Sequence, residues 1–199
     1  MAILFQDNFT GVDTTDIETH NSEYNTIDTS LSIDSNTCIA DSGNGAVIYG
    51  GLQQTDGTVQ MNAHAATSSN FAWIHARIDG TTSYNTNSYI WYWEWSGGGF
   101  MQMWKYVGGI QTILGTAASI PATPSGTAVA MGLDFSGSTI TGWGDGIARL
   151  TIEDEAHSSG YAGFRMNSQA GIYVDDFTIT GPPVPAMGAS VFGDQGLIH

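Results

Sequence analysis

Residues 88–109 read SYIWYWEWSGGGFMQMWKYVGG and hold four of the chain's six tryptophans. Successive side chains of a strand point to opposite faces, so Tyr89, Trp91, Trp93 and Trp95 fall on one face and Ile90, Tyr92 and Glu94 on the other. Across the SGGG turn, Phe100, Gln102, Trp104 and Tyr106 alternate with Met101, Met103, Lys105 and Val107. The stretch is therefore a hairpin of two alternating strands. Covering three indoles on one strand face removes on the order of several hundred Å2 from water, worth several kcal/mol at about 25 cal/mol per Å2. A sandwich core is the first choice for what covers them, with a subunit interface and a stacked sugar as alternatives.

The same texture extends on both sides of the hairpin. AILFQDNF opens the chain as a strand, and short strands follow at TIDTSLSID, CIA, AVIYGGLQ, TVQMNAHAA and FAWIHARID. After the hairpin come IQTILGTAA, AVAMGLDFSG, STITGWGDG, IARLTIED, GYAGFRMN and GIYVDDFTITG, separated by Gly, Asn and Ser clusters. The polar stretch from Val12 to Asn25 reads as a surface loop, and no amphipathic helix is expected. About a dozen strands with regular turn signals predict an all-β, two-sheet antiparallel sandwich over residues 1–181. Beyond Gly181, PPVPAMGASVFGDQGLIH carries three of the five prolines and reads as an extended C-terminal arm, residues 182–199. Val191, Phe192, Leu197 and Ile198 are its candidate subunit-interface residues, laid across a neighbouring copy in a homo-oligomer.

Charge narrows the partners. Nineteen Asp and Glu face four Lys and Arg, a net charge of -15, which repels a phosphate backbone and argues against direct nucleic-acid binding. No apolar run approaches a membrane span, and the N-terminus has no Sec-type signal pattern, so no membrane partner is expected. Cys38 stands alone and reads as a small buried side chain.

The order of these motifs resembles the concanavalin A-like lectin/glucanase jelly roll, especially its laminin G-like branch. The residues that carry the resemblance are SYIWYWEW, the glycine turn, FMQMWKYVGGIQTILG, FSGSTITGWGDG, SSGYAGFRMN and GIYVDDFTITG. The resemblance implies that the first and last strands pair, which would bring Asp7 beside Asp175 and Asp176. It also implies a Ca2+ site there, with hard oxygen ligands from the three carboxylates. Glycan sites of this family mix aromatics with Asp and Asn, which singles out Tyr84, Asn85, Asn87, Trp143 and Asp145.

Catalysis is not expected. The family's glycanases carry carboxylates near Glu-x-Asp-x-x-Glu on one strand, whereas Glu94 is the only acid on the hairpin strand. Two function classes follow. The preferred one is a non-enzymatic structural protein of a virus particle, such as a bacteriophage capsid decoration or tail-fibre component. It would be assembled in the host cytoplasm and dock on other virion subunits through strand faces and the arm. The alternative is a glycan-binding, lectin-like module that reads surface glycans, with Ca2+ as the sole cofactor either reading could call on.

Overall fold

The hairpin folds as its alternation requires. In the computed structural model, which describes residues 1–41, 43–65, 71–94, 99–117, 127–167 and 172–182, Tyr89, Trp91 and Trp93 are 0–2% exposed and point into the sandwich. Trp95 lies outside the described residues. So does the expected arm with Val191, Phe192, Leu197 and Ile198, Pro182 apart.

The strands are β1 (Ala2–Asp7), β2 (Tyr24–Thr26), β3 (Leu31–Asp34), β4 (Thr37–Ala40), β5 (Asn44–Gln54), β6 (Gly57–Ala65), β7 (Phe71–Ile78) and β8 (Ser88–Glu94). They continue with β9 (Phe100–Val107), β10 (Ile110–Ala117), β11 (Ala128–Ser136), β12 (Thr139–Gly144), β13 (Ile147–Glu153), β14 (Gly160–Asn167) and β15 (Ile172–Gly181). One sheet has seven strands in the order β10-β9-β8-β7-β14-β5-β2. The other has eight, β13-β12-β11-β6-β15-β4-β3, with β1 paired to β15. First and last strands thus join, Ala2 opposite Gly181 through Asp7 opposite Phe177.

Between the sheets, Trp91, Trp93, Met101, Met103, Ile74 and Phe164 of the seven-stranded sheet belong to one buried cluster with side chains of the other, including Val59, Met61, Leu133 and Phe177. Glycines on the facing sheet make room for the largest rings. A Cβ at Gly142 would stand 2.5 Å from Trp91 Cε3, and one at Gly144 would stand 2.7 Å from Met101 Cε. The indole Nε1–H of Trp91 donates to the Trp143 carbonyl at 2.9 Å, so a buried donor is satisfied across the core. Cys38 is fully buried, and burial, followed by the Asp7 and Asp41 charges, holds its thiol pKa well above the ordinary range. It behaves as a small core side chain.

One expectation is corrected. The polar stretch from Val12 to Asn25 contains a single helical turn, α1 (Ile17–His20), capped by the Asp16 carboxylate, which accepts from the Glu18 N–H at 2.9 Å. Ile17 is fully buried and anchors the turn. Val12, Ile17 and Tyr24 are too widely spaced in this polar run to leave a periodicity to read.

Candidate functional site

The outer face of the eight-stranded sheet is organised by register. Gln6 pairs with Thr178, Thr178 with Gln60, Gln60 with Gly132, Gly132 with Trp143, and Trp143 with Ala148. These residues form one row across six adjacent strands. Cross-strand partners share a face, so the row presents amide, hydroxyl and aromatic groups together. A neighbouring row places Thr180, Thr58, Asp134, Thr141 and Thr151 in consecutive register.

Trp143 is the only large ring in the row, and Gly132 explains its pose. A Cβ at Gly132 would collide with Trp143 Cζ2 and Cε2, so the indole lies across the bare backbone of the adjoining strand. Its Nε1–H donates to Asp134 Oδ1 at 3.2 Å, and the Thr58 hydroxyl donates to the same oxygen at 2.7 Å. The ring is pinned in plane by one carboxylate and remains half-buried rather than covered. Two open depressions meet at Trp143 and Gln60. One, of about 340 Å3, runs toward Thr141, Gly146 and Ala148. The other, of about 290 Å3, runs toward Asp176, Thr178 and Gln6.

Among the described residues, Trp143 is the candidate glycan-binding residue that lines these two depressions. Asp145, two residues on, has φ +53° and closes the β12–β13 turn: its N–H donates to the Ala130 carbonyl at 2.7 Å and its Oδ1 accepts from the Ala130 N–H at 3.2 Å. Tyr84, Asn85 and Asn87 belong to the loop after β7, against the seven-stranded sheet. They are not brought together with Trp143. Tyr84 is 4% exposed and donates to Asp28 at 3.2 Å, while Asn87 donates to Asp79 at 2.6 Å and accepts from the Gly108 N–H at 2.9 Å. Asn85 is exposed, with its N–H turned to Ser83 Oγ at 3.3 Å.

The outer face of the seven-stranded sheet is aromatic too, but its rings pack on one another. Tyr92 stacks on Trp104 at 4.7 Å between centroids, Phe71 on Trp73 at 5.3 Å, and Trp104 meets Trp73 edge-on at 5.3 Å. The Arg165 guanidinium sits 4.4 Å from the Trp73 centroid and 5.1 Å from that of Tyr84, and pairs with Asp28 at 3.2 Å. His75, fully buried beside Tyr84, has its pKa pulled down to about 3 by burial and by the Arg165 charge. Its ring packs against Tyr84 at 4.6 Å between centroids.

Acidic residues are few in the described strands of the seven-stranded sheet. Glu94 is the only acidic residue in the seven strands of that sheet. Along the Trp143 groove, Asp134 and Asp176 stand two strands and about three residues apart, roughly 14 Å between backbones.

The proposed calcium ligands do not converge either. Asp7 faces inward opposite Phe177 and is saturated by its own chain: it accepts from the Phe9 N–H at 2.7 Å, from His20 Nε2 at 3.0 Å and from the Tyr24 hydroxyl at 3.2 Å. Asp176, at a bulge with φ +50°, accepts from Asn62 Nδ2 at 2.8 Å and lines the outer groove. Asp175 Oδ1 accepts from the Asp176 N–H at 2.7 Å. Burial and the neighbouring Asp176 charge outweigh that bond and raise the Asp175 pKa. The sheet separates Asp7 from Asp176, and among the described residues no group of three or more His, Cys, Asp or Glu side chains is placed to hold a metal. The three residues do not fit the ion that the resemblance implies.

No protein-family model matches the chain, and no curated protein matches it in sequence. Solved structures do. The chain is similar to the carbohydrate-binding module CBM66 from Bacillus subtilis at 12% identity and a TM-score of 0.68, over 80% of this chain and 96% of that one. A Bacillus subtilis protein of unknown function with a galectin-like fold aligns at 10% identity and a TM-score of 0.65, over 90% and 96% of the two chains. SCLam, a non-specific endo-β-1,3(4)-glucanase from family GH16, aligns at 13% identity and a TM-score of 0.63, over 90% and 92%. With two antiparallel sheets and joined terminal strands, the chain has the concanavalin A-like jelly-roll fold that its motif order resembles.

Proposed function

We propose that the chain is a non-catalytic glycan-binding module whose binding surface is the outer face of the eight-stranded sheet at Trp143. The observation that carries this reading is the indole laid over Gly132 within a row of amides and hydroxyls. A pyranose presents weakly positive C–H groups on one face and hydroxyls around its rim. The electron-rich face of an indole meets the first, and fixed amide, hydroxyl and carboxylate groups meet the second. Gln60, Thr141, Asp134 and Thr178 supply those rim groups within the two depressions.

Binding without cleavage follows from the carboxylates. Glu94 is the single acidic residue in the strands of its sheet, and Asp134 and Asp176 line separate depressions. Similarity to a carbohydrate-binding module and to a glucanase supports the glycan class, although at their level of identity it extends no further than the fold. Assembly into a virus particle draws on the arm at 182–199, which lies outside the described residues beyond Pro182, and so has less to support it.

Affinity electrophoresis through gels containing β-1,3-glucan, mixed-linkage β-1,3(1,4)-glucan, xylan, levan or mucin tests the reading. The native chain is expected to be retarded by at least one polymer. Trp143→Ala should weaken that interaction at least tenfold, equivalent to about 1.4 kcal/mol, with little change in thermal unfolding because the ring is outside the core. Gly132→Ala, which displaces the indole without removing it, should weaken binding in the same gel and alter the near-ultraviolet circular dichroism. Trp104→Ala should retain full retardation. If Trp104→Ala abolishes binding and Trp143→Ala does not, the site is on the other sheet and the proposal is wrong.

A further inference from the structure

The groove also limits what kind of glycan it can hold. Resting on the reading that Trp143 marks a sugar-binding surface, we propose that the site takes an internal stretch of a neutral polysaccharide, several sugar units long, lying across the strands. Three observations carry this.

The first is length. The row from Gln6 to Ala148 crosses six strands, five inter-strand steps, which at about 4.8 Å per step spans roughly 24 Å. Trp143 and Gln60 belong to both depressions, so the indole is not the end of a pocket but a shared wall between two places for sugar. Each, at about 340 and 290 Å3, is near the lower limit for a small-molecule site. Binding strength therefore has to come from several adjoining units.

The second is the open ends. Gln6 and Ala148, the outermost members of the row, are both exposed. A site that reads a chain terminus needs a wall against which the last ring stops. Among the described residues this row runs out into solvent on the β1 side and on the β13 side, so a polymer can enter and leave without a free end.

The third is charge. Neither depression is lined by Lys, Arg or His, while Asp134 lines one and Asp176 the other. The chain as a whole carries a net charge of -15. Uronate or sulfate groups would face two fixed carboxylates and a negative field with no compensating cation. Neutral hexose or pentose polymers meet no such penalty, and their hydroxyls can donate to Asp134 and Asp176.

Two end variants separate this from simple stacking on Trp143. Gln6→Ala with Thr178→Val removes polar groups from the β15 side, and Thr141→Val removes one from the β13 side. Isothermal titration with laminari-, cello- and xylo-oligosaccharides of one to six units should show affinity rising at least tenfold between dimer and tetramer for one series, then levelling. Each end variant should lose several-fold affinity for the hexamer and almost none for the dimer. Polygalacturonate and a sulfated galactan should not bind, and moderate salt should leave the neutral series unaffected. A dimer that binds as tightly as the hexamer, or an anionic polymer that outcompetes the neutral ones, overturns this inference while leaving the Trp143 surface standing. Retardation of no polymer at all, or retardation indifferent to Trp143→Ala, brings down the binding surface itself.

Discussion

Trp91→Ala is expected to remove about 3–5 kcal/mol of stability, the range for truncating a large aromatic in a packed core, from a total of about 5–15 kcal/mol. Trp91 is 0% exposed, lies between Ile74 and Met103 in register, and fills the space over Gly142 that no side chain could share. Its removal leaves a cavity walled by two sheets whose backbones cannot collapse independently. It also removes the hydrogen bond from its Nε1–H to the Trp143 carbonyl. Trp91→Phe isolates the second loss: it keeps much of the ring but no donor, and should cost at least about 0.5–1.5 kcal/mol for the lost hydrogen bond. Because that carbonyl belongs to the residue at the centre of the groove, Trp91→Phe should also weaken glycan binding modestly, although residue 91 points away from the groove. Urea unfolding followed by far-ultraviolet circular dichroism measures the first effect. A loss below about 1 kcal/mol for Trp91→Ala would mean that the hairpin's indoles are not core residues.

The hairpin was readable from sequence because its information is local. A period of two along β8 and β9 is enough to divide Tyr89, Trp91 and Trp93 from Ile90, Tyr92 and Glu94, and the structure divides them in the same way. The pose of Trp143 was also within reach. Gly137 and Ser138 form a two-residue turn between β11 and β12, with Ser136 opposite Thr139, and counting back in pairs places Gly132 opposite Trp143. The rest of the row was not. Gln60 meets Gly132 from 72 positions away, and Gln6 meets Thr178 across almost the whole chain. No period or turn fixes such pairings in a single sequence.

Asp7 shows how a correct strand pairing can still mislead about a site. The terminal strands do join as the resemblance implies, but the register puts Asp7 opposite Phe177 and on the inward face. A bulge between Asp175 and Thr178 then shifts the last strand relative to β6, and Asp176 emerges on the outer side. A single residue of slip exchanges faces in a strand, so three acids that are neighbours along paired strands become neighbours across a sheet. His20 and Tyr24, which satisfy Asp7, lie on a stretch with little periodicity to read, on either side of the buried Ile17 turn.

Arg77→Met should be the other severe substitution, at about 3–5 kcal/mol, since it unpairs three carbonyls at about 1–3 kcal/mol each, offset in part by water. Arg77 is 3% exposed and held at φ +50°, where a side chain larger than glycine is strained. Its guanidinium donates to the Thr55 carbonyl through Nε at 3.1 Å and Nη2 at 2.6 Å, to the Gly137 carbonyl at 2.8 Å and to the His157 carbonyl at 2.9 Å, with its Cζ 4.7 Å from the Phe135 ring centroid. Asp56, 3.7 Å away but half exposed, contributes little of the balance. One side chain therefore ties together the β5–β6 turn, the β11–β12 turn and the segment before β14. Methionine keeps an unbranched apolar stem but is shorter and donates nothing, leaving three carbonyls whose relief is water from the depression of about 550 Å3 that Arg77 lines. Arg77→Lys keeps the charge but not the planar fork, so it should fall between methionine and the native chain. The two turns lead directly into Thr58 and Asp134, which hold the Trp143 ring. Hydrogen exchange should therefore accelerate first at residues 55–58, 134–138 and 155–158 in Arg77→Met, with the β8–β9 hairpin protected. Exchange unchanged at those turns, together with native stability, would show that the guanidinium is not the clasp that its hydrogen bonds describe.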